Sequence, residues 1–200
     1  SFTELKLEMI NDNDFLLKAR YTGSPNMSES TTNPQVFATG SLNTFLGIYK
    51  TAGNFDKGFV VQSSVLESVK TNSQGDIYGF GYLRQNLTTD LDPSANTVSL
   101  AATGRVRNFI VRYDNDLNYV SHVDFGQGNM FGTRLLEIGS ADSIFISSGT
   151  TWETQFPDNA RDRLDLDPSP TNTFDAVTAS TSGVFMAKYD KAFTFGDAYL

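Results

Sequence analysis

The sequence predicts an all-β fold of three antiparallel units, each of four strands, following one another along a single chain. Two local features and one long-range feature predict it. Aromatic and β-branched residues come in short runs with period-two order. Gly, Asn, Asp, Ser and Thr fill the gaps, and the whole layout recurs along the chain. In Phe109-Ile110-Val111-Arg112-Tyr113, Phe109, Val111 and Tyr113 share one face, while Ile110 and Arg112 share the other, as a pleated strand requires. Ile77-Tyr78-Gly79-Phe80-Gly81-Tyr82-Leu83 and Ser143-Ile144-Phe145-Ile146-Ser147 carry the same texture. Nothing reads as a long amphipathic helix. The best candidate, Val65 to Lys70, is short and runs into the turn Thr71-Asn72-Ser73-Gln74-Gly75-Asp76.

The elements are justified by aligning the three units. Each unit has an apolar first run, an acidic or polar turn, and then a second strand. The turns and strands are Asn11-Asp12-Asn13-Asp14 before Phe15, Ser73-Gln74-Gly75-Asp76 before Ile77, and Ser140-Ala141-Asp142-Ser143 before Ile144. These anchors lie 62 and 67 residues apart, and eight residues before each stands an apolar residue: Leu7, Val69 and Leu136. A long variable loop follows. The third strands are then marked by Phe45, Phe109 and Phe185, each run ending in Tyr with Lys or Arg beside it. A fourth apolar run closes each unit, near Phe55–Val61, Tyr119–Phe125 and Phe193–Leu200. The expected organisation is one repeat domain, 1–200, with repeats at approximately 2–64, 65–129 and 130–200. Repeats of this size with four short strands predict blade-like units of a β-propeller. A twelve-strand sandwich is the competing arrangement.

Composition bounds the function. Two hundred residues can bury a core without disulfides, and the chain has no cysteine, which removes thiol catalysis and thiolate metal sites. The formal net charge is -8, against nucleic acid and against an anionic membrane surface as partners. No apolar run approaches the roughly 20 residues of a membrane-spanning helix, so no membrane insertion is expected. The chain opens at Ser1 without a charged-then-apolar leader, so a processed chain or a piece of a longer one is expected.

The string Asp76-Ile77-Tyr78-Gly79-Phe80-Gly81-Tyr82, then Asp90-Leu91-Asp92-Pro93-Ser94, then Phe109-Ile110-Val111-Arg112-Tyr113-Asp114 resembles the signature of SBBP-type bacterial β-propeller repeats. The third unit repeats it with Leu164-Asp165-Leu166-Asp167-Pro168-Ser169 and Phe185-Met186-Ala187-Lys188-Tyr189-Asp190. The first unit departs from it, with Thr31-Thr32-Asn33-Pro34 and Gly40 in place of an Asp-x-Asp-Pro step. The resemblance covers 65–200 well and 1–64 weakly. It implies a secreted or cell-surface bacterial protein, associated with the outer envelope, whose repeats bind or scaffold without shared catalytic residues.

Candidate chemistry is sparse. His122 is the single histidine, and Asp124 stands two residues on, so both side chains share a strand face; no Gly-x-Ser-x-Gly elbow accompanies them. One imidazole is too few for a histidine zinc site. The carboxylates Asp90, Asp92, Asp165 and Asp167 alternate in their loops as hard oxygen ligands for calcium would, with Asn11-Asp12-Asn13-Asp14 as a third cluster. Turn formation, with Asp oxygens accepting backbone N–H bonds, is the preferred reading of those residues. Otherwise no cofactor is expected. Gly79-Phe80-Gly81 lies inside a strand, and Gly126-Gln127-Gly128-Asn129-Met130-Phe131-Gly132 has the wrong spacing for a phosphate loop. Glu67, Glu137 and Glu153 are the remaining carboxylates for a glycosidase pair, and Trp152 the one sugar-stacking indole.

Three blades are too few for a closed ring, since propellers use four to eight. Two terminal sheet faces should therefore expose apolar side chains. The expected function is a non-catalytic binding or scaffold module, with a protein partner or self-association completing the propeller. The alternatives are a subunit of a bacterial envelope assembly for export or adhesion, and a carbohydrate-binding or hydrolase domain using acidic loop residues such as Asp92, Asp167 and Glu153.

Overall fold

The computed structural model describes residues 2–23, 43–128, 130–151, 164–169, 171–174 and 182–199. It is all-β, built from three four-stranded antiparallel sheets, none of them closed, and a two-stranded ribbon. Sheet 1 runs in chain order through β1 (Phe2–Met9), β2 (Asp14–Tyr21), β3 (Asn43–Lys50) and β4 (Phe55–Val61). Sheet 2 contains β5 (Ser64–Thr71), β6 (Ile77–Leu83), β9 (Arg107–Tyr113) and β10 (Tyr119–Gln127). The ribbon β7 (Thr88–Asp90) and β8 (Ser99–Ala101) is inserted between its second and third strands. Sheet 3 contains β11 (Met130–Ile138), β12 (Ile144–Thr151), β13 (Ser182–Tyr189) and β14 (Phe195–Tyr199). Among the described residues the one helical turn is a 3-10 turn at Ser140–Asp142. The segment Val65 to Lys70 is strand β5, because its apolar residues at 65, 66 and 69 have sheet faces on both sides to fill.

Each sheet is a meander, so its turns repeat. The acidic anchors form the turns between first and second strands. Asn11 Oδ1 accepts the N–H groups of Asn13 and Asp14, and Asn72 Oδ1 accepts those of Gln74 and Asp76. Between third and fourth strands Asp114 Oδ1 accepts from Asp116 and Asn118, and Asp190 Oδ1 from Ala192 and Thr194. These loops need one residue at positive φ. Gly53 supplies it in sheet 1 (φ 93°), but Leu117 (64°) and Phe193 (66°) do so in sheets 2 and 3, where their side chains are buried. Burying those side chains offsets the left-handed strain that glycine would avoid. Phe193 accordingly belongs to a turn rather than to the final strand.

The sheets stack face on face in the order 1, 2, 3. One cluster joins Leu16, Leu46 and Ile48 of sheet 1 to Leu66, Phe109, Val111 and Tyr113 of sheet 2. A second joins Tyr78, Phe80, Ile110 and Phe125 of sheet 2 to Leu136, Ile146, Phe185 and Tyr189 of sheet 3. Alternation places the third-strand landmarks Phe45, Phe109 and Phe185, with Tyr49, Tyr113 and Tyr189, on the same side of their sheets, all six buried. Strand β5 crosses the inner face of sheet 1 obliquely. Leu66 N–H donates to Thr44 Oγ1 of β3, the Glu67 carbonyl accepts from Lys18 of β2, and Thr71 N–H donates to Glu8 of β1. Strand β11 lies against sheet 2 in a similar way, with Arg134 on Asn108 and Leu136 paired to Ser68.

Candidate functional site

The four candidate calcium ligands occupy two equivalent loops and do the same work in each. Asp90 Oδ1 accepts the N–H groups of Asp92 (3.0 Å) and Val98 (2.9 Å), and Asp92 Oδ1 accepts that of Ser94 (2.9 Å). Asp165 Oδ1 accepts from Asp167 (3.0 Å) and Phe174 (2.9 Å), and Asp167 Oδ1 from Ser169 (2.9 Å). Between each pair a leucine, Leu91 or Leu166, is fully buried and donates its N–H to the carbonyl of Val98 or Phe174. The Asp-Leu-Asp-Pro-Ser step is thus a peg: two carboxylates hold the turn while the leucine fills the core. Among the described residues no three histidine, cysteine or carboxylate side chains group as a metal cage. Asn11 Oδ1 and Asp14 belong to the same turn chemistry, with Lys50 Nζ 2.8 Å from Asp14 Oδ1. That lysine, foremost, holds the Asp14 carboxyl below its ordinary value.

His122 does not partner Asp124. Its Nδ1 is 2.7 Å from the Tyr119 hydroxyl, and burial pulls the imidazole below its ordinary pKa. Asp124 instead takes the Arg107 guanidinium side-on, with Nε at 2.9 and 3.0 Å from its two oxygens, and Oδ1 also accepts the Gly126 N–H. His122 and Asp167 do line one groove of about 440 Å³, with Ser169, Asn172 and Phe195, where sheet 2 meets the loops of sheet 3. Asp92 and Asp167 sit on successive sheets, each bonded within its own turn. Glu153, Trp152, Asp162 and Arg163, and in the first unit Thr31 to Pro34 and Gly40, lie outside the described residues. Glu137 pairs with Lys70 across the sheet 2–sheet 3 boundary at 3.2 Å.

The polar centre that sequence reasoning missed is a clasp across all three sheets, built on Glu67. Strand β5 carries one extra residue between Leu66 and Ser68, so Glu67 stands on a bulge that turns its two ends in opposite directions. Its carbonyl accepts Lys18 Nζ of sheet 1 at 2.8 Å, and Lys18 also meets Glu4 at 2.9 Å. Its carboxylate accepts the backbone N–H and Nη1 of Arg134 on sheet 3, both at 3.1 Å. Arg134 further donates to Asn108 Oδ1 and the Met130 carbonyl and lies 4.3 Å over the Tyr82 ring. Lys18 and Arg134 are nearly inaccessible, so these are paired charges inside a stack. Burial pulls the Lys18 ammonium below its ordinary pKa against the opposing pull of Glu4. Burial alone would raise Glu4, yet Lys18 and Lys6 hold it below its ordinary value. A lysine inside the apolar run Phe15-Leu16-Leu17-Lys18-Ala19 was the available signal. The strand glycines belong to the same packing. A Cβ on Gly81 would stand 2.1 Å from the Val65 carbonyl, so β5 can approach only a glycine there.

The remaining feature is the pair of terminal faces. Of the nine large apolar side chains exposed among the described residues, four lie on β1 of sheet 1 (Phe2, Leu5, Leu7 and Met9) and four on sheet 3 (Leu135, Val184, Met186 and Tyr199). In sheet 2 one cross-strand row reads Ser68, Phe80, Ile110, Val123, and sheet 3 covers it completely at Phe80 and Ile110. The equivalent row in sheet 3 reads Leu135, Ser147, Met186, Tyr199 and is open, with Met186 44% and Tyr199 62% exposed. A hollow of about 490 Å³ lies beside it, between Phe145, Met186, Lys188, Asp197 and Tyr199. No known family model and no curated protein matches the chain.

Proposed function

We propose that the chain is a non-catalytic binding or scaffold module: three blade-type repeats of a β-propeller of the SBBP type, acting in a secreted or cell-surface bacterial protein. The observation that carries this reading is the open outer face of sheet 3. Its row Leu135, Ser147, Met186, Tyr199 occupies the positions that, on sheet 2, sheet 3 itself covers. Apolar surface is worth about 25 cal/mol per Å² when removed from water, so a face of this kind is a docking surface. The propeller reading is further supported by the shared meander order and by the contact of β5 with sheet 1 and of β11 with sheet 2. The non-catalytic reading is supported by Asp90, Asp92, Asp165 and Asp167, each of which has one oxygen engaged by backbone N–H groups of its own turn. No helix among the described residues is long and apolar enough to cross a membrane.

Oxidative footprinting of the monomer at low concentration tests the docking face. Met186 and Tyr199 are expected to label far faster than Met130, which is buried. Protection of Met186 in a proven monomer overturns the reading, because the face would then be covered from within the chain.

A further inference from the structure

The turns that join third to fourth strands are built alike in the three sheets. In each, the fourth turn residue returns its N–H to the carbonyl of the first: Gly53 to Lys50, Leu117 to Asp114 and Phe193 to Asp190. That fourth residue stands at positive φ every time, at 93°, 64° and 66°. In sheets 2 and 3 it carries an apolar side chain, which is a peg in the preceding sheet. Leu117 joins the apolar cluster of Leu16 and Ile48, which face each other across β2 and β3. Phe193 meets the Tyr78 ring edge to face at 5.8 Å, and Arg112 lies 5.8 Å over that same ring. The Lys191 carbonyl, second in the turn, accepts from Arg112 Nη1 at 3.1 Å and from the Tyr78 hydroxyl at 3.3 Å. Tyr78 and Arg112 are opposite each other across β6 and β9. Sheet 2 thus holds the turn with a ring for the peg and a cation for the carbonyl.

Sheet 3 repeats this socket on its outer side. Phe145 and Lys188 stand where Tyr78 and Arg112 do, one residue past the second-strand anchor and three past the third-strand phenylalanine. They are opposite each other across β12 and β13, with Lys188 Nζ 5.7 Å from the centre of the Phe145 ring. The hollow of about 490 Å³ beside them, bounded by Met186, Asp197 and Tyr199, has room for a further ring. Among the described residues no free turn of this kind carries the peg. A second copy stacked in the order of the repeats would bring its sheet 1 turn, where the peg position is Gly53. Leu117 and Phe193 are already seated, at 5% and 4% exposure. The occupant is therefore a different chain.

We infer that the hollow at Phe145 and Lys188 is a socket for a β-turn of a partner protein, one with a four-stranded antiparallel unit whose third-to-fourth-strand turn reads Asp-X-X-Phe. The partner's ring inserts beside Phe145, and the carbonyl of its second turn residue accepts from the Lys188 ammonium. The inference rests on the docking-face reading above and names the chemistry of what docks.

A cyclic peptide carrying residues 189–195, closed by a disulfide between added terminal cysteines, tests it by titration into the full chain labelled with carbon-13 at its methionine methyls. The expected result is a saturable shift of the Met186 methyl with Met9 and Met130 unmoved. One ring and one hydrogen bond set the dissociation constant on the order of 1 mM. Phe193→Gly in the peptide, which copies the sheet 1 turn, should weaken binding at least about tenfold. Lys188→Glu in the chain should weaken it comparably, whereas Lys188→Arg should bind as well or better, since an arginine holds this carbonyl on sheet 2. Leu7→Glu on sheet 1 should change nothing. A peptide whose turn is formed by its own proton contacts yet leaves Met186 unmoved overturns the socket. Free labelling of Met186 then leaves the docking-face reading standing, and its protection in the monomer removes both. Equal binding of the Phe193→Gly peptide overturns the peg, and a shift at Met9 instead of Met186 overturns the assignment of the face.

Discussion

Removing the Glu67 carboxylate is the sharpest test of how the three sheets are held. In Glu67→Ala the Arg134 guanidinium, whose side chain is only 5% exposed, loses its countercharge, and the Arg134 backbone N–H loses its acceptor. Breaking a buried pair from one side costs about 3–5 kcal/mol. Two features lower the figure here. The Glu67 side chain is 23% exposed, and Arg134 keeps Asn108, the Met130 carbonyl and the Tyr82 ring. The expected cost is therefore about 2–3 kcal/mol, and about 1 kcal/mol for Glu67→Gln, which keeps an acceptor. Replacing both partners, Glu67→Ala with Arg134→Met, should cost less than the sum of the single changes by at least about 1 kcal/mol, because no charge is then left buried. Equilibrium urea unfolding of the four proteins reads the cycle, provided the slope m stays constant. Additive single costs, or a Glu67→Ala cost below about 0.5 kcal/mol, would refute the clasp. The Lys18 contact uses the Glu67 carbonyl, which no side-chain change at 67 removes. The cycle therefore isolates the sheet 2–sheet 3 half.

Three further outcomes are expected. Gly81→Ala should destabilise by about 3 kcal/mol, because the new Cβ meets the Val65 carbonyl, whereas Gly104→Ala, at φ +82° with nothing within 4 Å, should cost about 1 kcal/mol; equal urea midpoints for the two would contradict the close approach of β5 and β6. Asp90→Ala should cost about 1–2 kcal/mol by stranding two N–H groups, and Asp90→Asn about 0.5 or less, since its amide oxygen still accepts. A calcium loop predicts the opposite for Asp90→Asn, a loss seen with calcium and absent with chelator, so thermal melts in both conditions decide between them. Acid should weaken the fold in two steps. The Asp14 carboxyl is held below the ordinary 3.8 foremost by Lys50, that of Asp142 by the Ser73 N–H, and that of Asp190 by the Thr194 N–H. Groups with depressed folded values lend stability above the unfolded value and lose it as pH falls through the folded one. The urea midpoint should therefore begin to fall below about pH 6.5, where the unfolded chain protonates His122 and the half-buried imidazole resists it, and fall more steeply below about pH 4, and Asp190→Asn should make that lower fall shallower; a low-pH fall of unchanged steepness would count against that turn.

Much of the fold was legible because it is written in local chemistry. Period-two alternation places Phe109, Val111 and Tyr113 on one side of a strand wherever that strand goes, and Asn or Asp at a turn start caps the next N–H groups without help from distant residues. The Asp-Leu-Asp-Pro-Ser step was legible as a turn for the same reason. The candidate site was far less so. Asp124 pairs with Arg107 rather than His122 because an arginine lies on the neighbouring strand at that point, which spacing along one strand does not record. Glu67 read as an ordinary carboxylate on a short apolar run, since a bulge shows only against the register of a partner strand.

The sequence by itself determined which elements form, which side of each strand is apolar and where the chain turns, because those depend on residues a few positions apart. Only the tertiary structure decided what covers each apolar side. Val69 and Leu136 are buried while Leu7, at the same place in its unit, is exposed; Ile110 is sealed and its counterpart Met186 is open. Alternation assigns a side chain to a face, but burial is a relation between two faces. The third sheet of this stack has no neighbour on its outer side among the described residues.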